Sequence, residues 1–396
     1  MPRSLWLLVV GMMINVTGSS FLWPLNTIYI HEHLGKSLTV AGIVLMLNSA
    51  ATVIGNLVGG VLFDKIGGYK SIILGIVITL VAVILLMFYH SWPIYIYLLI
   101  LLGFGSGIVF PATFALAGAV WPEGGRRAFN AIYVAQNVGV AAGASLGGFI
   151  ASISFDYIFI ANTALFAVFF LIALFGFRNI NAEEASQASI LNQKPDVKDS
   201  NKFKALVILC IGYLLCWVGY VQWTSTISSY TQSLNIPLHQ YSFLWTVNGV
   251  LIVCAQPFLS KIVKHFAKTL KQQMIIGFIL FIVSFVIASY AEQYTGFLVA
   301  MVILTIGEMF VWPAVPTIAN DLAPKGRQGF YQGFVNSTAT GGRMIGPLLG
   351  GVIADFYHIN LLFMIIISLL FIGIFTTFMY DKKLKEIGEN KELSIS

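Results

Sequence analysis

Residues 297–316 read FLVAMVILTIGEMFVWPAVP, an apolar run with one acid, Glu308, inside it. A helix of about 20 residues rises roughly 30 Å, the thickness of a bilayer's hydrocarbon core, and satisfies its own backbone hydrogen bonds there. Runs of this kind recur from end to end. Of 396 residues, 58% are hydrophobic and only 10% charged, the composition of an all-α polytopic membrane protein. Counting the runs places twelve spans near 5–29, 38–62, 71–89, 93–120, 128–152, 157–177, 205–230, 241–259, 273–290, 295–320, 329–354 and 359–380.

An even number of spans puts both termini on one side of the bilayer, and the cationic residues say which side. Of the 22 Lys and Arg, all but Lys36 and Arg343 fall at the termini or in the even-numbered connections, among them Arg3, Lys65, Lys70, Arg126, Arg127, Arg178, Lys325 and Arg327. The opposite connections hold Lys36 beside Glu32, Asp156, Glu292 and Asp355. The basic segments, and with them both termini, are therefore expected in the cytoplasm. The net charge of +6 reflects that topology and anionic headgroups rather than nucleic acid. The first run is too long for a signal-peptide core and is expected to stay as the first helix. Cys210, Cys216 and Cys254 lie inside spans, which points to reduced thiols. No metal or cofactor is expected. His31-Glu32-His33 has no further ligands at zinc-site spacing, and the chain shows neither a phosphate-cradling glycine loop nor a nucleophile–base set.

Between residues 179 and 204 the chain turns polar, which divides it into an N-terminal six-helix bundle (1–178), a cytoplasmic linker (179–204), a C-terminal six-helix bundle (205–380) and a cytoplasmic tail (381–396). The halves repeat: Trp23 answers Trp223, Asn48 answers Asn248, Asn56 answers Gln256, Pro111 answers Pro313 and Pro122 answers Pro324. Two such bundles about a pseudo-two-fold axis suit alternating access to a midplane site. Glycine spacing repeats as well. Gly139, Gly143, Gly147 and Gly148 in span five, and Gly342, Gly346, Gly350 and Gly351 in span eleven, put small residues on one helix face, where another helix can approach closely. Pro347 adds a kink beside Gly346.

The run from Gly342 to Gly351 resembles the antiporter motif of the major facilitator superfamily, although the family carries it in span five, where this chain has Ala144 in place of proline. The turn Gly60-Val61-Leu62-Phe63-Asp64-Lys65-Ile66-Gly67 resembles the cytoplasmic motif of the same family. That resemblance implies a major facilitator fold of two pseudo-symmetric six-helix bundles. It also implies a conformational latch of Gly60, Asp64, Lys65 and Gly67, with Asp64 meeting the N-terminal end of span eleven. The segments Gly307–Pro313 and Tyr133–Asn137 resemble those of Gram-positive multidrug exporters, the drug:proton antiporter branch of the family. Two of that branch's charges are missing here: Leu101 stands where span four usually has an Arg, and Ile132 where relatives have an Asp.

Glu308 and Arg343 are then the charges placed well inside the bilayer. Such groups are costly and usually functional. Counted from opposite faces, both lie roughly 20 Å deep on sequential helices, within reach of pairing. They are the expected proton-coupling residues. Asn15, Trp23, Asn26, Tyr133, Gln136, Asn137, Trp217, Tyr220, Trp223 and Trp312 are the expected substrate cavity, a mixture suited to flat amphipathic molecules, cations among them, through stacking and cation–π attraction. The reading is a proton-coupled secondary transporter that exports lipophilic compounds by alternating access. Its expected partners are a small-molecule substrate, protons and the lipid bilayer, its home the cell membrane, and its state a monomer. A proton-coupled carrier of the same superfamily for a sugar, metabolite or lipid-linked molecule is the alternative, and a non-transporting membrane receptor or scaffold a weaker one.

Overall fold

In the computed structural model, which describes residues 1–22, 26–178, 180 and 197–384, the apolar runs are helical. Hydrocarbon offers a backbone no other hydrogen-bond partner, so a single-segment span has to be a helix. Among the described residues twelve helices reach 20 residues or more. They are α1 (Arg3–Leu22), α2 (Leu38–Ile66), α3 (Gly68–Phe88), α4 (Ile94–Val120), α5 (Arg126–Ile153), α6 (Phe155–Gly176), α7 (Val197–Tyr220), α8 (Leu238–Phe266), α9 (Leu270–Ser289), α10 (Tyr294–Leu322), α11 (Gln328–Phe356) and α12 (Ile359–Met379). Nine of the described segments are long and apolar enough to cross a membrane. The remaining long helices, α5, α8 and α11, carry more polar side chains, Asn137, Asn248 and Arg343 among them.

The chain divides into two compact units. Met1–Gln193 and Lys325–Thr340 form the first, Lys194–Pro324 and Gly341–Ser396 the second, so α11 contributes its opening turns to one and the rest to the other. Within the first unit α2 packs on α4, α3 on α4 and α6, and α1 on α6; within the second, α8 packs on α10, α9 on α10 and α12, and α7 on α12. Each pairing recurs six helices later, which is the duplication written in helix contacts. Aromatic rings at helical spacing fill the interior, with Phe166, Phe169 and Phe177 in the first unit and Phe278, Phe281 and Phe285 in the second, all buried.

Several boundaries differ from the sequence reading; spans two and eight, expected to end at 62 and 259, run on to Ile66 and Phe266. Residues 197–204, expected in the linker, are the first turns of α7. Their polarity excludes hydrocarbon, but not a helix that projects beyond it. The rest of the linker to residue 196, apart from 180, and the tail beyond 384 lie outside the described residues. Span one, expected to reach residue 29, is helical over Arg3–Leu22 and again over Asn26–Ile28, on either side of residues outside the description, and a π turn at Tyr29–His33 follows. Span seven, expected to reach 230, ends at Tyr220, followed by a 3₁₀ turn at Val221–Trp223 and a helix at Thr226–Ser233.

The glycine faces are where helices come closest. A Cβ on Gly139 would lie 2.7 Å from the Met13 carbonyl oxygen, and one on Gly143 2.6 Å from Ser20 Cβ, so both seat α5 against α1. In the repeat, a Cβ on Gly342 would lie 2.5 Å from Trp217 Cβ and one on Gly346 3.1 Å from the Val218 carbonyl oxygen, so α11 sits on α7 in the same way. Gly147 meets Phe21 on α1, and Gly350 meets Gln222 and Thr226. Gly143→Ala is expected to cost roughly 1–3 kcal/mol, the usual scale of overpacking. A thermal melt in detergent checks this, with Gly249→Ala, where nothing lies within 4 Å, as the neutral reference.

Candidate functional site

Glu308 lies on α10, only 3% exposed. A carboxylate buried that deeply has to be hydrogen-bonded. Its Oε2 accepts from the Tyr220 hydroxyl of α7 at 2.9 Å and from the Asn248 amide of α8 at 2.9 Å. The same Asn248 nitrogen donates to Thr305 Oγ1 at 3.0 Å, and the Thr305 hydroxyl donates to the Met301 carbonyl at 2.7 Å. Three helices of the second unit are thus tied together at one oxygen by neutral donors.

The repeat explains why the acid stands here. Asn48, the first-unit counterpart of Asn248, also bridges to the equivalent helix, donating to the Leu99 carbonyl of α4 at 2.5 Å. Glu308 stands five residues before Pro313, and five residues before Pro111 stands Ser106, whose hydroxyl donates to the Gly103 carbonyl at 3.1 Å. The amide bridge belongs to both copies, but the carboxylate belongs to the second alone.

An aromatic block covers the acid. Tyr213, Trp217 and Tyr220 recur at four and three residues on one face of α7, and Trp312 lies one turn beyond Glu308 on α10. Trp217 and Trp312 stack with centroids 4.4 Å apart and planes 3° apart. Tyr220 meets Trp312 edge-on at 5.3 Å and Trp217 at 5.4 Å, and Phe281 meets Trp312 at 5.7 Å. The Arg343 guanidinium of α11 lies 4.9 Å from the Trp217 ring centroid. Glu308 is the buried charge of the two. The two charges are therefore joined through one turn of α7, with Arg343 on Trp217 and Glu308 on Tyr220.

The structure brings Glu308, Arg343, Trp217, Tyr220 and Trp312 together in the second unit. It sets Trp223 apart: this residue is fully buried, faces Phe285 at 6.4 Å, and its carbonyl accepts from the Tyr241 hydroxyl. That is a packing position, reached because α7 has already ended at Tyr220. Gln222 is likewise structural, donating to the Val218 carbonyl at 2.9 Å and across to the Gly346 carbonyl at 2.7 Å. Trp23 lies outside the described residues. In the first unit, Asn26 accepts from the Tyr95 hydroxyl at 2.7 Å, and Asn15 is buried with its amide atoms finding no hydrogen-bond partner. Asn137 donates to the Tyr133 carbonyl at 2.9 Å, Tyr133 is buried, and Gln136 approaches Met12 Sδ at 4.0 Å. The sequence reading does not single out Thr305, Phe281 or Trp245, the last of which stands edge-on to Tyr220 at 6.3 Å. Thr305 alone carried a signal, one helical turn before Glu308.

The cytoplasmic motif has its own geometry inside the first unit. Asp64, buried at the end of α2, accepts from the backbone N–H of Gly329 at 2.7 Å through Oδ1 and of Phe330 at 2.8 Å through Oδ2. These are first-turn donors of α11, which have no partner within the helix. Gly60 lets the backbones meet, since a Cβ there would sit 3.1 Å from Phe330 Cα and closer still to the Gly329 carbonyl. Lys65 is exposed, and Gly67, at φ 87°, ends α2 in a conformation that side chains resist.

A family model for the Major Facilitator Superfamily matches residues 8–338 and 209–393. The chain belongs to the major facilitator superfamily. Within the superfamily it is 64% identical over 397 residues to the MFS-type transporter YttB of Bacillus subtilis (strain 168), covering 100% of both chains. It is 23% identical over 361 residues to the quinolone resistance protein NorA of Staphylococcus aureus (strain COL), covering 90% of this chain and 91% of that one. Among solved structures, the human organic anion transporter MFSD10 (TETRAN) matches with a TM-score of 0.75 at 13% identity, over 95% of this chain and 100% of the other. A POT family transporter in complex with 5-aminolevulinic acid matches at 0.72 and 17% identity, over 96% and 95%. At those identities the likeness concerns the fold. As a superfamily member the chain is a multi-pass membrane transporter of small molecules and not an enzyme.

Proposed function

We propose that this transporter is a proton-coupled exporter of lipophilic compounds that works by alternating access as a monomer in the cell membrane, with both termini in the cytoplasm. The observation that carries the reading is Glu308, an acid 3% exposed that accepts hydrogen bonds from two neutral groups, the Tyr220 hydroxyl and the Asn248 amide. A buried acid with neutral donors can exist with or without its proton while its surroundings keep their shape. That is the property a carrier's proton site needs. In the cycle, Glu308 takes a proton from the outward side and releases it inward, and Asp64 on the α11 first turn stabilises one of the conformations that alternate. The 23% identity to a quinolone resistance protein points the same way.

Proton movement tests this directly. In proteoliposomes with trapped pyranine and no imposed pH gradient, a transported substrate added on one side is expected to drive proton movement in the opposite direction. Proton movement in the same direction as the substrate would favour the proton-coupled sugar, metabolite or lipid-linked carrier, and substrate flux without any change in pyranine signal would remove proton coupling.

A further inference from the structure

We infer that the proton reaches Glu308 along one face of α8, past Trp245, and that Tyr241 is the positioning residue that keeps Trp245 across that path. The inference rests on the proton-coupled reading above and adds the route by which the acid is loaded.

Three observations carry it. The first is the order of groups along the helix. Tyr241, Trp245 and Asn248 follow one another at four and three residues, so they share one face of α8, with Tyr241 roughly 10 Å along the axis from Asn248. Asn248 donates to Glu308 Oε2, Trp245 stands edge-on at 6.3 Å to Tyr220, which donates to the same oxygen, and Tyr241 lies nearest the Leu238 end of the helix. In the topology proposed above that end faces outward, the side from which the proton comes. The second is how Trp245 is fixed. Its Nε1 donates to the Tyr241 hydroxyl at 3.1 Å, and that hydroxyl donates in turn to the Trp223 carbonyl in the turn that follows α7. Tyr241 is buried and Trp245 only partly so. One hydroxyl therefore pins the indole between the helix end and the donors of the acid, and an indole released from it can change rotamer without moving the backbone. A hydronium that arrives on this path passes its proton to the carboxylate, which leaves a neutral acid and a water molecule. The third is the repeat. At the offset that pairs Asn48 with Asn248, Tyr241 answers Ala41, Trp245 answers Leu45 and Tyr220 answers Ser20. The copy that has Ser106 in place of Glu308 thus lacks the pinned indole as well, although it keeps the amide. The Tyr241–Trp245 pair goes with the acid rather than with the shared fold.

The test reads access to the acid itself. Dicyclohexylcarbodiimide, a small apolar reagent that modifies protonated carboxyl groups, is added to the detergent-purified full chain at fixed pH, and the adduct at residue 308 is followed by peptide mass, with Glu308→Gln as the blank. Tyr241→Phe and Trp245→Phe are each expected to speed modification of Glu308 roughly two- to tenfold, the scale of one lost hydrogen bond, and Trp245→Ala more. Tyr230→Phe, in the short helix between α7 and α8, changes a ring that packs on Phe297 and Phe363 and is expected to leave the rate unchanged. Rates equal to that of the unmodified chain in Tyr241→Phe and Trp245→Phe, or an equal acceleration in Tyr230→Phe, overturn the inference. If Trp245→Ala fails to fold, the two phenylalanine variants decide. Modification needs neither transport nor a gradient, so faster modification beside a flat pyranine signal would keep Trp245 as the cover of Glu308 and remove coupling, whereas unchanged modification beside proton movement would keep coupling and remove the route.

Discussion

Glu308→Gln is expected to abolish pH-driven export while the protein folds and binds as before. Glutamine has nearly the shape of glutamate, and its amide oxygen can still accept from Tyr220 and Asn248, which donate at 2.9 Å each. The contacts among α7, α8 and α10 therefore survive the substitution. What disappears is the exchangeable proton. In proteoliposomes under an imposed pH gradient, uphill movement of a fluorescent lipophilic substrate should fall to the level of empty vesicles. Exchange of labelled for unlabelled substrate at equal concentrations should continue, because reorientation of a neutral site needs no proton. If Glu308→Gln still builds a gradient, coupling resides elsewhere and the proposed function is wrong on this point.

Asp64→Ala should produce the second large effect, a loss of transport without a loss of fold. The carboxylate receives two backbone N–H groups at 2.7 and 2.8 Å, and hydrogen bonds to charged groups contribute roughly 1.5–3 kcal/mol each. Removing both withdraws about 3 kcal/mol or more from the conformation that holds them, roughly 100-fold in a two-state equilibrium. A carrier that has to visit two conformations in turn slows when one becomes rare. The initial rate of substrate flux is expected to fall at least tenfold, with binding in detergent retained. Asp64→Asn, which keeps one acceptor oxygen and turns an N–H donor towards the other N–H, should lie between the two. A flux equal to that of the unmodified chain would make Asp64 an ordinary helix cap.

The all-helical class and the duplication were legible because burial in hydrocarbon forces a pattern that composition reveals, and the second half repeats it. The prolines at 111 and 313 and the amides at 48 and 248 marked equivalent positions before any helix was placed. Glu308 stood out for the opposite reason, as a charge where charge is costly. Helix ends were less legible. Residues 197–204 look like a linker because they are polar, yet a helix can be polar wherever it leaves the bilayer. Trp223 illustrates the limit on sites: its repeat partner and its aromatic character fit a cavity wall, but the end of α7 at Tyr220 turns the residue into the packed interior. The stack of Trp217 on Trp312 joins two helices far apart in sequence, and no spacing rule within either helix reports it.

The first copy's Ser106, standing where the second copy has Glu308, sets a thermodynamic ceiling. Under the proposed exchange a cycle has one group to load, so it spends one proton for each substrate molecule moved. The proton gradient then supplies about 1.4 kcal/mol per pH unit, enough for a tenfold concentration ratio and no more from that source. A steeper ratio has to come from the membrane voltage, and voltage acts only if the exchanged charges do not cancel. Swapping one proton for one organic anion moves two positive charges inward, so such a cargo would draw on the voltage twice over, whereas a monovalent cation would draw on none.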